Sequence, residues 1–253
     1  MSAYTIAAGT AQHIGGRPSQ NDRAALYAGA RAPGHMLAVL ADGIRGGAVA
    51  AEQVLHTSKQ LFDDFAAVDA ASPQRLAGLL HAIVHEAHTV VSMNPLAAGA
   101  QCTLALLLLT PHGQAVWAHV GDARVYRFAG AACAFRSNDA AYVEHLVRDD
   151  GLAPEAARRH RSSALLGNAL GKDFKEPFVT IGSHAGLGAG DAFMLCSDGL
   201  WQYFSDAELA AVVAKERPRQ AGERLIGKAL ERAKGKGDNC TMAIVKLVAR
   251  AHA

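Results

Sequence analysis

The sequence predicts an α+β fold in which two largely antiparallel sheets have their outer faces covered by helices. Two observations carry this reading. Strand-like stretches come in clusters, before residue 45, between Gln101 and Phe135, and again after Phe178, and pairs of helical patterns separate or follow them. Such an order lacks the single strand–helix alternation of a doubly wound parallel sheet. In addition, half of the 253 residues are hydrophobic and 19% are charged, which is enough for a large core and excludes disorder as the main state. No repeat, linker or composition break divides the chain, so residues 1–253 are read as one domain.

Taken in order, short strands are expected at Tyr4–Ala8, Ala24–Ala28 and Met36–Leu40. Val54, Leu55, Ser58, Leu61, Phe62 and Phe65 then recur at helical spacing. Leu76, Leu79, Leu80, Ile83, Val84, Ala87, Val90 and Val91 do the same. Ser72-Pro73 is a start signal for the second helix and Asn94-Pro95 a stop. Strands follow at Cys102–Leu109, Ala115–Val120, Arg124–Phe128 and Ala132–Phe135, broken by Pro111-His112-Gly113 and Ala129-Gly130. Short helices are expected at Asp139–Arg148 and Pro154–Arg159, and strands at Phe178–Ile181 and Ala192–Cys196. Helices over Asp206–Lys215 and Gln220–Ala233 precede a last strand, Thr241–Val248.

Composition excludes several functions. With 25 Lys+Arg against 23 Asp+Glu, the chain lacks the charge of a dedicated nucleic-acid binder or a polybasic membrane module. The longest apolar run, Leu104–Leu109, is far short of the roughly 20 residues of a membrane-spanning helix, and Met1-Ser2-Ala3-Tyr4 has no signal-peptide character. Cys102, Cys133, Cys196 and Cys240 lie far apart, and three of them sit in apolar strand-like runs. They read as buried thiols of a reducing compartment. A cytoplasmic protein, a monomer, with no nucleic-acid or membrane partner is expected.

The placement of aspartates carries the chemistry. Asp42, Asp122 and Asp198 each follow an apolar strand, Asp238 comes just before one, and Asp22 stands between a Gly/Arg/Pro/Ser loop and a strand. A carboxylate at the rim of a core is costly unless it is paired or bound to a cation. Adjacent glycines allow close backbone approach and leave a carbonyl free as a ligand. Carboxylates without partnering His or Cys suit Mg²⁺ or Mn²⁺ rather than zinc. Turn chemistry alone explains any single Asp-Gly, and spacing by itself does not bring the five together.

These residues also carry a resemblance. Gly16-Arg17, Gln20-Asn21-Asp22, Ala41-Asp42-Gly43, Cys102-Thr103, Val120-Gly121-Asp122-Ala123-Arg124, Ser137-Asn138-Asp139, Leu170-Gly171, Cys196-Ser197-Asp198-Gly199-Leu200 and Gly237-Asp238-Asn239 occur in order from about residue 13 to 247. Together they resemble the metal-dependent protein phosphatases (the PPM family, type 2C), in their compact bacterial form. The resemblance implies an αββα sandwich with its active site at one edge. It implies a serine/threonine protein phosphatase acting on proteins phosphorylated by a serine/threonine kinase. Asp42 would bridge two Mn²⁺ or Mg²⁺ ions, Asp198 and Asp238 would complete one shell, and the Gly43 carbonyl would bind the other ion. Asp22 would act mostly through metal-bound waters, Asp122 would support a third ion, and Arg17 would hold the substrate phosphate in a fork that Lys cannot reproduce. Two ions about 3.5–4 Å apart would make a bridging hydroxide available near neutral pH.

Some positions depart from that pattern. Asn21 stands where the family has Glu or Gln, Ala140 where it often has His, and Arg45 follows Asp42-Gly43-Ile44 where a different residue is usual. Arg45 reads either as a second phosphate or peptide contact or as a solvent-facing loop residue. Asn21 and Ala140 are what would favour the alternative, a catalytically weak or inactive module that binds a phosphorylated partner. Arg158-Arg159-His160-Arg161 reads as a steering patch for acidic substrates or as the charged face of a short helix. His81, His85 and His88 form one stripe, expected to be solvated. Trp201, Tyr203 and Phe204 are expected in the core, Asp191 in a turn, and Ser197 lacks the Gly-x-Ser-x-Gly context of a hydrolase nucleophile.

Overall fold

The computed structural model describes residues 4–44, 46–66, 68, 72–95, 98–138, 147–148, 168–172 and 176–250. They form ten strands and five helices in the order β1 (Tyr4–His13), β2 (Arg23–Ala28), β3 (Met36–Ile44), α1 (Gly47–Asp64), α2 (Pro73–Met93), β4 (Gln101–Leu109), β5 (Gln114–Val120), β6 (Arg124–Ala129), β7 (Ala132–Arg136), β8 (Thr180–Ala185), β9 (Asp191–Cys196), α3 (Asp198–Trp201), α4 (Asp206–Lys215), α5 (Pro218–Ala233) and β10 (Cys240–Ala249). Two five-stranded sheets result, ordered β2-β3-β4-β5-β8 and β1-β10-β9-β6-β7, and every strand pairing is antiparallel.

Strand parity explains why β3, β4, β9 and β10 read as continuous apolar runs rather than alternating ones. Each is covered on both faces. Leu104, Leu106 and Leu108 of β4, with Leu37 and Val39 of β3, pack under α1 and α2. Ala105, Leu107 and Leu109, with Ala38 and Leu40, face Phe193, Leu195, Val245 and Leu247 of the other sheet. Met194 and Cys196, with Met242 and Ile244, pack under α4 and α5. The molecule is therefore four layers deep, helix–sheet–sheet–helix.

Helices α2 and α4 begin at local capping signals, whereas α5 starts at Pro218, two residues before the expected Gln220, and α3 has no counterpart among the expected helices. The Ser72 side chain accepts the Arg75 amide with Pro73 at the first helical position, and Ser205 with Glu208 closes a reciprocal capping box on α4. Lys246, in mid-strand on β10, extends its ammonium to the carbonyls of Val213, Ala214 and Glu216 and so closes the C-terminal end of α4. Lys246→Met keeps the stem and removes the charge. It is expected to lower stability by about 1–3 kcal/mol, as for hydrogen bonds to a charged group, read as a lower urea midpoint with an unchanged slope.

Several expectations are corrected. β1 runs to His13 rather than Ala8, because Ala7, Gly9 and Ala11 carry no apolar pattern and only the pairing with β10 extends the strand. At Gly9 a side chain would stand 3.2 Å from the Arg219 amide nitrogen of α5. β3 continues through Asp42 and Gly43 to Ile44, paired with Thr103, Cys102 and Gln101. β8 starts at Thr180 because Phe178 gives both its backbone groups to the Asn168 amide, each at 2.8 Å. The histidine stripe is not uniformly solvated. His88 is buried and its Nδ1 accepts the Gly171 amide at 3.2 Å, while His85 faces Glu176 at 3.4 Å. The helices expected at 139–148 and 154–159, with Ala140 and Arg158–Arg161, lie outside the described residues except for helical 147–148.

Candidate metal centre

The inter-sheet seam opens at one end, and that end is lined with carboxylates. Ala38 and Leu40 face the seam, so Asp42, two residues on, faces it too. Arg23 pairs with Ala41 and Ala24 with Leu40, which brings Asp22 up beside Asp42 from the neighbouring strand. Asp122 arrives on the β5–β6 turn and Asp198 at the start of α3, one residue beyond Ser197, which follows β9. Asp238 stands two residues ahead of β10.

All five share one electrostatic field. Burial first, then repulsion from Asp22, Asp198 and Asp122, holds the Asp42 carboxyl well above the ordinary carboxylate range. Burial, then Asp122, Asp238 and Asp22, pushes Asp198 up to about 7. Asp22 is also raised, chiefly by burial. Asp22 is fully buried. Its Oδ2 accepts the Ser197 hydroxyl at 2.8 Å, and its Oδ1 has no hydrogen-bond partner. An anionic cluster held this far from water is stable as charged groups only beside a cation.

Backbone crowding explains the glycines. A side chain at Gly43 would stand 2.6 Å from the Asn21 and Gly47 carbonyl oxygens, and one at Gly199 would overlap the Asn239 carbonyl. Gly15 has φ +67, and a side chain there would run into the Asp238 carbonyl. The loop carrying Arg17 is thereby laid directly on the loop carrying Asp238, and the Gly16 amide donates to the Gly237 carbonyl at 2.8 Å.

Arg17 reaches across this contact. Its Nε and Nη2 donate to Asp238 Oδ1 and Oδ2 at 2.7 and 2.5 Å, a two-pronged pair with the arginine side chain 57% exposed. The residue expected to hold phosphate is thus paired with a residue expected to hold metal. Among the described residues no three His, Cys, Asp or Glu side chains stand ready around one point, and the turn of Asp238 toward Arg17 accounts for one missing contributor. The donor set of carboxylates, a free carbonyl and an orphaned buried oxygen is nonetheless all oxygen, the chemistry of a hard divalent cation. Arg45 lies outside the described residues.

No protein-family model matches the chain. Over 235 residues it is 30% identical to the serine/threonine protein phosphatase PstP of Mycobacterium tuberculosis, covering 90% of this chain and 42% of PstP. It is also 30% identical over 151 residues to the protein phosphatase PhpP of Streptococcus pneumoniae, 59% of each chain. The chain therefore spans about two fifths of PstP and under two thirds of PhpP. The solved PstP structure superposes with a TM-score of 0.69 at 28% identity, over 96% of this chain and 99% of that one. A second structure, the PstP catalytic domain with two manganese ions, gives 0.68. These likenesses support membership of the type 2C, metal-dependent protein phosphatase family. The Streptococcus agalactiae serine/threonine phosphatase, 23% identical with a TM-score of 0.76, supports the same fold.

Three residues to which sequence reasoning gave no structural role organise this seam end. Ser197, considered only as a nucleophile, donates to Asp22 and accepts the Thr241 amide at 3.0 Å. Asn239 takes the Asn21 amide on its Oδ1 at 2.7 Å and gives Nδ2 to the carbonyls of Ile14 and Ser19 at 2.8 and 2.9 Å, which ties the Arg17 loop to Asp238. Gln20 accepts the Asp22 amide at 3.0 Å. Their one sequence signal is a place within two residues of an aspartate. Asn21, read as a stand-in for Glu or Gln, engages its side chain with the Ser19 hydroxyl at 3.2 Å. Trp201, expected in the core, is half-buried against it, and it donates Nε1 to the Asp122 carbonyl at 3.0 Å under the Arg124 guanidinium, 3.3 Å from its ring. Asp191, expected in a turn, opens β9 and pairs with Arg127 at 3.1 Å.

Ser197→Ala would leave the Thr241 amide without its side-chain acceptor and Asp22 without its donor. A loss of about 1–3 kcal/mol is expected, measured by thermal or urea unfolding, together with weaker metal binding in calorimetry.

Proposed function

We propose that this chain is a divalent-cation-dependent protein phosphatase that hydrolyses phosphoserine and phosphothreonine, on substrates of a serine/threonine kinase. The observation that supports this most is the convergence of five aspartates from five separate segments on one seam end, with a two-pronged arginine at its rim. Asp42, Asp198, Asp238 and the Gly43 carbonyl would hold two ions, Mn²⁺ or Mg²⁺, and Asp122 a third. Such ions supply Lewis-acid activation of water and neutralise phosphoryl charge.

The chain's own residues do the rest. Arg17, largely exposed, exchanges the Asp238 carboxylate for two phosphate oxygens, and its planar fork orients the ester in the cleft. Ser197 holds Asp22 in one rotamer, so the carboxylate points into the seam. Asn239 keeps the Arg17 loop against Asp238. Ser197, whose hydroxyl donates to Asp22, is fully buried, and the reading requires no covalent phosphoenzyme.

The deciding experiment follows release of phosphate from a phosphothreonine peptide and from p-nitrophenyl phosphate, with and without Mn²⁺. Turnover that requires Mn²⁺ and is abolished by EDTA supports the reading. Phosphopeptide binding with no turnover at any Mn²⁺ concentration would overturn it in favour of a binding module.

A further inference from the structure

The loop between α5 and β10, Lys234-Gly235-Lys236-Gly237, brings two cations to the rim of the cleft. Several other cations of α5 and the Arg17 loop are engaged. Arg219 pairs with Glu223, Arg224 with Glu216, Arg232 with Glu208, and Arg17 with Asp238. Lys234 and Lys236 are exposed, and among the described residues neither ammonium has a hydrogen bond or ion pair. Lys236 lies against the Arg17 loop. A side chain at Gly16 would stand 3.2 Å from the Lys236 Cα, and the Gly16–Gly237 hydrogen bond locks the two loops together. Lys234 is the one non-glycine residue with positive φ among the described residues, at φ 51 and ψ 41. A helix end of this kind favours glycine, so a lysine is kept there against the backbone preference.

We propose that Lys234 and Lys236 are specificity residues that bind acidic side chains flanking the phosphorylated residue of a peptide substrate. A phosphate gripped by Arg17 places the neighbouring peptide residues over the adjoining loop, within about a Debye length (~8–10 Å) of both ammoniums. Among the described residues no carboxylate pairs with either ammonium: Asp238 is held by Arg17 and, once Arg17 turns to phosphate, would be held by metal, and the nearby Glu231 acts on Arg232. This rests on the phosphatase reading for the position of the phosphate, and it adds the chemistry of what lies beside it.

The test uses the full chain with Mn²⁺ and hydrolysis-resistant phosphonate analogues of one phosphothreonine peptide, with Asp/Glu, Ala or Lys flanks. Binding is followed by fluorescence anisotropy, and p-nitrophenyl phosphate hydrolysis is measured in parallel. The acidic peptide is expected to bind about fivefold tighter than the neutral one, from two exposed charge pairs, with the preference fading as salt is raised. Lys234→Gly/Lys236→Gln should bind both peptides alike and hydrolyse p-nitrophenyl phosphate at the unchanged rate. Lys234→Gly alone suits the left-handed backbone and guards against misfolding, and Lys236→Glu should turn the preference toward Lys flanks. No acidic preference in the natural protein, or a preference that survives the double variant, overturns the proposal even if p-nitrophenyl phosphate is hydrolysed. If that ester is not hydrolysed but the lysine-dependent preference is present, the phosphatase reading fails and the acidic-flank site stands.

Discussion

Asp198→Asn is expected to abolish Mn²⁺-dependent phosphate-ester hydrolysis, by roughly a thousandfold or more, the scale on which electrostatic stabilisation of a transition state is lost. The same change should stabilise the metal-free protein. Asp198 sits at about 7 because it is buried and faces Asp122, Asp238 and Asp22. An unfolded aspartate titrates near 3.9. The folded state thus holds the proton more tightly, so the group's stabilising contribution is complete below about pH 4 and is lost as pH rises to about 7. Asparagine has nothing to ionise. The unfolding free energy of the variant minus that of the natural protein, both without metal and read by urea denaturation, should be near zero at pH 4 and grow to its full value by pH 7–8, on the order of a few kcal/mol. His119, buried and held down to about 4, works in the opposite direction in both proteins and cancels in the difference. A difference that is flat with pH would remove Asp198 from the buried acidic cluster. Unaltered turnover would remove it from the active site.

Arg17→Met is expected to act with opposite signs on metal and substrate. The guanidinium forks onto Asp238, so its removal frees that carboxylate, and Mn²⁺ should bind up to about fivefold tighter, the worth of an exposed ion pair. Substrate loses two charge-assisted hydrogen bonds, together about 1.5–3 kcal/mol or more, so kcat/KM for a phosphopeptide should fall by about tenfold to a few hundredfold. Titration calorimetry with Mn²⁺ reads the first effect, and steady-state kinetics with inorganic phosphate as inhibitor reads the second. Arg17→Lys separates pairing from charge. It retains the charge without the fork, so a Mn²⁺ affinity equal to that of the natural protein would mean that charge alone opposes the ion.

Much of the fold is legible along the chain. The apolar runs of β4, β9 and β10 announce strands covered on both faces, and Ser72-Pro73 and Ser205–Glu208 mark helix starts through local hydrogen bonds that need no distant partner. Long-range pairing accounts for the elements that local pattern misses. Small residues carry β1 to His13 only because β10 lies alongside, and Asn168 delays β8 from ten residues away. His88 looks solvated on a helical wheel and is buried because the 168–172 segment folds over it.

At the site the division is the same. Glycine beside aspartate at strand ends names Asp42, Asp122 and Asp198 as candidates, and oxygen donors without His or Cys name a hard cation, since both follow from residue chemistry alone. That the five aspartates meet, that Arg17 lies on Asp238 across 221 positions of chain, and that Ser197 and Asn239 hold the two loops is decided only by the tertiary structure. Two sheets must pack face to face before the parity of β2 and β3 brings Asp22 and Asp42 to the same seam, and before burial can raise their carboxyls. Alternation along a strand is written residue by residue, whereas the field of a carboxylate depends on which other segments stand beside it.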